Sequence, residues 1–331
     1  GCTLYIDGRE VPDGGSHTFV SPGGNNNNLL QLRRNGKVIA EGKLTFTFLP
    51  IVELWGTSLS TSHHPGAIRV NDAGTADVVD STYKASLRYR GATAANMSKK
   101  AYAVKLKNAN NGSIDRKLLG MRKDNNWILD AMAIDPGRMR NRVATDIWLD
   151  YSKKPYQSEY EKKVVNGTRG KFVEVLLNGK YAGLYCMTEK IDRKQLKLKK
   201  IGKAADQTQS DTVRGTLYKS SSWSYSIFMG HNPDENYYPN SRAASYNNLS
   251  ATWDGWKMKY PDLEDGEAVD WKPLYDAVNV VAANYNTQFK AKVSDYFDLP
   301  VFLDYYLFIE LIFATDNHGK NIFLYNYDKT H

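Results

Sequence analysis

Cysteine is nearly absent from this chain: Cys2 and Cys186 are the only two in 331 residues. A framework of several disulfides is therefore excluded, and stability must come from a packed core. No apolar run is long enough to cross a bilayer as a helix. Histidine is scarce as well, and His63-His64 has no third ligand nearby in sequence. That pair reads as loop chemistry rather than as a metal centre. Zinc-finger and helix-turn-helix patterns are missing, and no internal repeat is evident. The net charge of +8 suits acidic or phosphate-bearing partners, but without such a pattern nucleic acid is not expected among them.

What is present is an ordinary globular composition, 41% apolar and 24% charged, over a length that allows about two domains with a core each. Residues 1–50 read as a β-rich module, with strands at Thr3–Gly8, Leu30–Leu32, Lys37–Ala40 and Lys43–Leu49. Glycine- and asparagine-containing turns separate them, and Gly23–Asn28 reads as a flexible loop. This is the pattern of a small antiparallel sheet or sandwich. Cys2 follows a single glycine, which leaves two readings open: the lipidated first residue of a mature bacterial lipoprotein, or part of an ordinary first strand. Cys186 lies in a strand and reads as a small buried hydrophobe. The densest run of positive charge, Lys190, Arg193, Lys194, Lys197, Lys199, Lys200 and Lys203, is expected to be a solvated helix face.

Chemistry concentrates in Asp316-Asn317-His318-Gly319-Lys320-Asn321. Upstream, Leu303, Tyr306, Leu307, Glu310, Leu311 and Ala314 recur at helical spacing and predict an inward stripe. Downstream, Ile322–Tyr325 predicts a buried strand. An Asp and an Asn five positions apart on a helix-to-strand loop are similar to the catalytic loop of protein kinases. Three more segments follow kinase order. Ala101–Lys107 alternates, with Tyr102, Val104 and Leu106 on one face and Ala103 and Lys105 on the other, like a phosphate-binding Val-Ala-Ile-Lys strand. Arg138–Leu149 predicts a helix with Met139, Val143 and Ile147 inward, Trp148 as a further candidate for that face, and Asp146 available to orient Lys105. Pro136 in the preceding Asp135-Pro136-Gly137 suits a helix start. Lys171–Leu177 and Tyr181–Glu189 predict a hairpin around Asn178-Gly179, followed by a hinge at Met187-Thr188-Glu189-Lys190.

Taken with Arg90-Gly91-Ala92-Thr93, Asn125–Leu129, Arg140–Ala144 and Asn178–Tyr185, these segments make the chain resemble the CotH family, the spore coat protein H kinases and their bacterial extracytoplasmic relatives. The resemblance covers about residue 50 to the end. It implies an α+β protein whose atypical kinase-like domain spans 51–331: an N-lobe over about 51–200, an insertion over 204–270 and part of a C-lobe over 271–331. It implies ATP, Mg2+ or Mn2+, and transfer of phosphate to Ser or Thr hydroxyls of a protein in the cell envelope. Lys105 would then hold phosphates, Asp146 orient it, Met187 and Glu189 border the adenine, Asp316 act on the acceptor hydroxyl and Asn321 bind the metal. The alternative is a non-catalytic surface lipoprotein that uses the fold for binding. The family's second metal-binding acid is expected beyond His331, because Asp328 sits in a polar turn and is a poor substitute. In the insertion, Trp223, Tyr225, Tyr237, Tyr238, Trp253, Trp256 and Tyr260 are expected to tack a long loop to the body.

Overall fold

The computed structural model describes residues 1–19, 28–72, 82–204, 212–224, 227, 245–263, 266–282 and 286–329. Of the loop expected at Gly23–Asn28, all but Asn28 lies outside these residues, as do the aromatics Tyr225, Tyr237 and Tyr238. The first four strands are β1 (Thr3–Ile6), β2 (Arg9–Val11), β3 (Asn28–Arg34) and β4 (Lys37–Leu44). They form an antiparallel sheet in the order β2-β1-β3-β4. Asn35 and Gly36 both take positive φ between β3 and β4, the backbone a two-residue hairpin turn needs. Leu4 opposite Leu32 and Ile6 opposite Leu30 give this sheet one apolar face. The expected strand at Lys43–Leu49 is instead the end of β4, and the chain leaves the sheet after Leu44.

From Ile51 the chain builds a closed barrel. Its strands are β5 (Ile51–Gly56), β6 (His64–Asn71), β7 (Thr82–Arg90) and β8 (Ala101–Lys107). After a short ribbon of β9 (Arg116–Lys117) and β10 (Lys123–Asp124) come β11 (Asn126–Asp130), helix α1 (Arg140–Tyr151), β12 (Gly170–Leu177) and β13 (Lys180–Glu189). Seven strands close in the order β11-β13-β12-β5-β6-β7-β8, with β8 pairing back onto β11. All neighbours are antiparallel except β12 and β5. Alternation sends Val52, Leu54, Ile68, Leu87, Val104, Leu106, Trp127, Leu129, Val173, Val175 and Met187 inside, each almost fully buried. Each such side chain contributes roughly 1.5 to 3 kcal/mol by leaving water. The hairpin at Asn178 and Gly179 forms as expected, with positive φ at both.

A second sheet joins β14 (Thr216–Ser220), β15 (Thr252–Trp253), β16 (Trp256–Tyr260) and, after helices α2 (Lys272–Ala282), α3 (Asn286–Tyr296) and α4 (Leu299–Leu311), β17 (Phe323–Asn326). Its order is β15-β16-β14-β17. Tyr218, Trp253, Trp256, Met258, Trp271, Leu274 and Val278 form a core on one side of it. The 204–270 segment is thus not a loop tacked on by aromatics: it supplies three of the four strands. Ile191, Leu196 and Leu198 pack on Leu217, Tyr260, Phe323 and Tyr325 and fasten the other face of the sheet to the chain leaving the barrel.

Two helix faces differ from expectation. In α1 the side chains of Val143 and Ile147, and of Met139 just before it, are exposed, while Arg142 is buried. Arg142 turns inward because its guanidinium donates to the Thr168 carbonyl at 2.7 Å and pairs with Asp146. In α4 the stripe Leu303, Tyr306, Leu307 and Leu311 faces outward, and Asp304, Phe308 and Ile309 are buried. This helix is apolar on nearly every side, so spacing could not choose a face. The choice falls to Asp304, which accepts from the Lys153 backbone N–H at 2.8 Å, and to Phe308, which packs on Trp148 and Tyr151. The lysine-rich run forms no regular helix. Lys194 bonds Asp115, Asp124 and Asn125, and Lys199 pairs with Glu161. No helix among the described residues is long and apolar enough to cross a membrane.

Candidate functional site

The loop after α4 is held from both sides. Its first residues, Thr315–His318, make a single 3-10 turn, and Lys320 N–H returns to the Asp316 carbonyl at 2.9 Å. The Tyr305 hydroxyl donates to the Asn317 carbonyl at 2.7 Å, and burial pushes that phenol up to about 12. The far end locks onto β14. Asn321 N–H donates to the Ser220 carbonyl, Ser220 N–H to the Ile322 carbonyl, and Ile322 N–H to Ser220 Oγ at 2.8 Å. Asn321 has φ near +61°, a left-handed conformation that Asn tolerates better than most residues. The Trp223 ring occupies the place a Cβ would take on Gly319, so glycine is required there. His318 Nδ1 lies 3.0 Å from the Thr315 carbonyl and Nε2 lies 2.5 Å from Glu310 Oε1. Both neighbours only accept, so the Thr315 carbonyl first and the Glu310 carboxylate second raise the imidazole above its ordinary value. Amid these anchors, the Asp316 and Asn321 side chains are exposed and make no hydrogen bond to the described residues.

Lys105 lies where alternation predicts, on the outer face of the barrel, opposite Ser86 on one side and Asn126 on the other. It is exposed and makes no ion pair with the described residues. Its surroundings are cationic. Burial, then Lys105, Arg88 and Lys107, drive the His63 imidazole down to about 4. Lys190 is lowered chiefly by desolvation; Asp192 opposes the shift, and Lys105 and Lys259 of β16 add to it. On the second sheet Lys219 is lowered by burial and then by Lys259, Arg90 and Lys257. On the sheet that anchors Asn321, Lys219 lies opposite Lys257 in the strand register.

The other expected site residues are placed elsewhere. Asp146 pairs with Arg142 at 2.7 Å, so the helix acid serves its own helix and is not an orienting partner of Lys105. Met187 is a fully buried member of the barrel core. Its strand is hydrogen-bonded on both sides, to β11 and to β12, which leaves no hinge backbone free there. Glu189 is buried, and its two oxygens accept the Arg122 and Arg169 backbone N–H groups. It ties the barrel end together and does not line a nucleotide site. Asp328, expected in a polar turn, is buried and pairs with Arg214 at 2.7 Å. Sequence reasoning gave no site role to Arg88 or Lys219, and quoted Arg90 only within a family motif. Lys219 had one local signal, the alternation of Leu217 and Lys219 with Tyr218, but only strand pairing shows what it faces.

A family model described as CotH kinase protein matches residues 87–331, well over half of the chain. The chain belongs to the CotH kinase family. No curated protein matches it. The CotH match begins inside β7, so β5, β6 and the N-terminal sheet precede it although β5 and β6 complete the barrel. Membership makes this a kinase-like protein and implies ATP and a divalent metal in general terms. The exposed Lys105 ammonium suits a phosphate-bearing ligand. The metal fits less well: no three His, Cys, Asp or Glu among the described residues are grouped to hold an ion. Asn321 supplies one neutral oxygen, whereas Mg2+ favours one or two carboxylates beside phosphate oxygens.

Proposed function

We propose that this CotH-family chain is a phosphotransferase that passes the γ-phosphoryl group of ATP to a Ser or Thr hydroxyl of a protein, in an extracytoplasmic setting. The observation that carries this reading is the exposed Asp316 carboxylate, unpaired among the described residues, on a loop whose end is bonded to β14. In the reaction the hydroxyl oxygen attacks the γ-phosphorus, the bond to the β–γ bridging oxygen breaks, and ADP departs. Asp316 orients the hydroxyl and accepts its proton. Lys105 draws charge from the phosphates on the barrel side. Such catalysis is mainly positioning and charge stabilisation, which suits a loop tied down at Asn317, His318 and Asn321. Asn321 would offer one oxygen to a divalent ion such as Mg2+ or Mn2+.

A second reading has its own support. Leu303, Tyr306, Leu307, Leu311 and Phe313 are exposed together along and just after α4, a surface that favours a surface protein using the fold for binding. Phosphate transfer from radiolabelled ATP to protein acceptors, by the full-length protein and its Asp316→Asn variant, separates the two. Asp316→Asn should lower transfer roughly 100- to 1,000-fold while leaving ATP affinity nearly unchanged. Equal transfer by both proteins would remove Asp316 from the mechanism, and no transfer by either would favour the binding role.

A further inference from the structure

A cavity of about 320 Å³ opens where the end of α1 meets the chain leading into β12. That volume is within the range of ligand-binding clefts. Leu149, Val164 and Val165 give it apolar walls, and Lys153, Lys154 and Arg169 stand in its lining. Lys154 and Arg169 are exposed, and their side chains make no hydrogen bond or ion pair with the described residues. Lys153 is shared with Asp304, at 3.4 Å, and its side chain remains largely exposed. Asp150 is the one acid in the lining. Three cations against one carboxylate leave the rim positive.

The cavity is tied to the Asp316 loop by a short run of contacts. Asn166 lines it, and the Asn166 carbonyl accepts from Trp148 Nε1. The Trp148 ring meets Tyr305 edge-on at 5.8 Å, and the Tyr305 hydroxyl donates to the Asn317 carbonyl at 2.7 Å. One indole and one phenol therefore separate the cavity from the loop that carries Asp316. An extended peptide rises about 3.3 Å per residue, so roughly five to eight residues span that gap along the surface. Lysines just after a helix need no ligand, because they suit its negative pole. That does not account for Arg169, which lies on the approach to β12, or for apolar walls left open between cations. A cleft of this kind selects a ligand with an apolar side chain to fill it and carboxylates to meet Lys154 and Arg169. An acidic stretch of a protein supplies both.

We propose that this cavity is a docking site for an acidic segment of the protein substrate, held there while a hydroxyl farther along the same chain reaches Asp316. The substrate role rests on the phosphotransferase reading, and the binding rests on the cavity alone. A carboxylate of the segment lies between Lys154 and Arg169, and a neighbouring apolar side chain packs on Leu149, Val164 and Val165. Asp150 disfavours a basic segment. None of these residues takes part in phosphate transfer.

Fluorescence anisotropy with the full-length protein tests this. The probe is a labelled peptide with one serine and, about six residues from it, a segment alternating leucine and glutamate; its control has lysine in place of glutamate. The acidic peptide should bind and the basic one should not. Lys154→Glu combined with Arg169→Glu should weaken the acidic peptide about tenfold or more, and the milder Lys154→Gln and Arg169→Gln about threefold each. Added salt should weaken it as well, because the cations stand at an exposed rim. In transfer assays the same variants should raise KM for the acidic peptide and leave kcat and the KM for ATP nearly unchanged. Unchanged affinity in the double variant would overturn the site, as would equal binding of the two peptides. Transfer lost in Asp316→Asn, with peptide affinity unmoved by the double variant, sinks this site and spares the phosphotransferase reading. Acidic-peptide binding that depends on Lys154 and Arg169, in a protein that transfers no phosphate, does the reverse.

Discussion

His63 is a reporter of what happens at Lys105. Its imidazole is held down to about 4 by burial and then by Lys105, Arg88 and Lys107. An anion bound against those three cations removes part of that pressure, so nucleotide should raise the His63 pKa toward the ordinary value of about 6.5. The imidazole proton resonances followed through a pH titration, with and without nucleotide, read this directly; an unmoved titration would place the anion elsewhere. His63 also sets an acid limit. Its folded pKa lies below its unfolded one, so its contribution is complete above pH 6.5 and is lost as pH falls toward 4. His318 has the opposite sign. Its pKa is raised by the Thr315 carbonyl and Glu310, so the contact is fully present below pH 6.5 and fades as pH rises through the folded value. His318→Gln should flatten that alkaline dependence of stability, measured by thermal melts from pH 5 to 9. The loop that carries Asp316 and Asn321 was legible as a turn between helix and strand, because its residues are ordinary turn formers. The neighbours of Lys219 were not, since they depend on which strands pair.

Among the elements, strands read more truly than helices. The alternation of Tyr102, Val104 and Leu106 against Ala103 and Lys105 survives intact, because a period of two leaves only two faces to choose between. The Asn178-Gly179 hairpin was legible for the positive φ it needs. Helix α1 was misread by face: its buried residue is Arg142, held by a backbone carbonyl and Asp146, and apolar spacing cannot anticipate such a bond. It follows that Asp146→Asn should leave nucleotide affinity unchanged and cost less than about 1 kcal/mol, since the Asp146 side chain is largely exposed. A clear drop in ATP affinity for that variant would restore Asp146 to the site. Within the barrel, a Cβ at Gly66 would fall on the Trp55 carbonyl oxygen and the Leu87 side chain. Gly66→Ala should therefore destabilise by about 1 to 3 kcal/mol in a denaturant titration.

At the scale of the whole molecule, the closed barrel is the most heavily buried part, and the N-terminal sheet is the least. Ile6 is the one buried hydrophobic side chain among the described residues of β1 to β4. Amide hydrogen exchange should accordingly begin in β1 to β4 and reach the barrel strands last. The N-terminal strands were legible from their apolar runs and the turns between them, and the first sheet ends at Leu44 before β5 begins at Ile51. Closure of the barrel was not, since no local pattern announces that β8 returns to β11. That closure bears on where a recombinant piece should start. Residues 87–331 alone would cut β7 and remove β5 and β6, leaving the edges of β12 and β7 unpaired. A protein starting at Ile51 should stay monomeric in light scattering, and one starting at residue 87 should aggregate.

The pairing of β5 with β12 has a further consequence in time. These parallel partners, Ile51–Gly56 and Gly170–Leu177, are separated by more than a hundred residues of chain. During synthesis, at about 5 to 20 residues per second, β5 to β8 emerge well before β12 and β13 exist. For several seconds the nascent chain holds a half-built meander with both edges bare, and non-local pairings of this kind form slowly even when every strand is present. The kinetic hazard of this protein therefore lies in its first half, and a chaperone that shields an open sheet would act there, before the eleventh strand reaches the eighth.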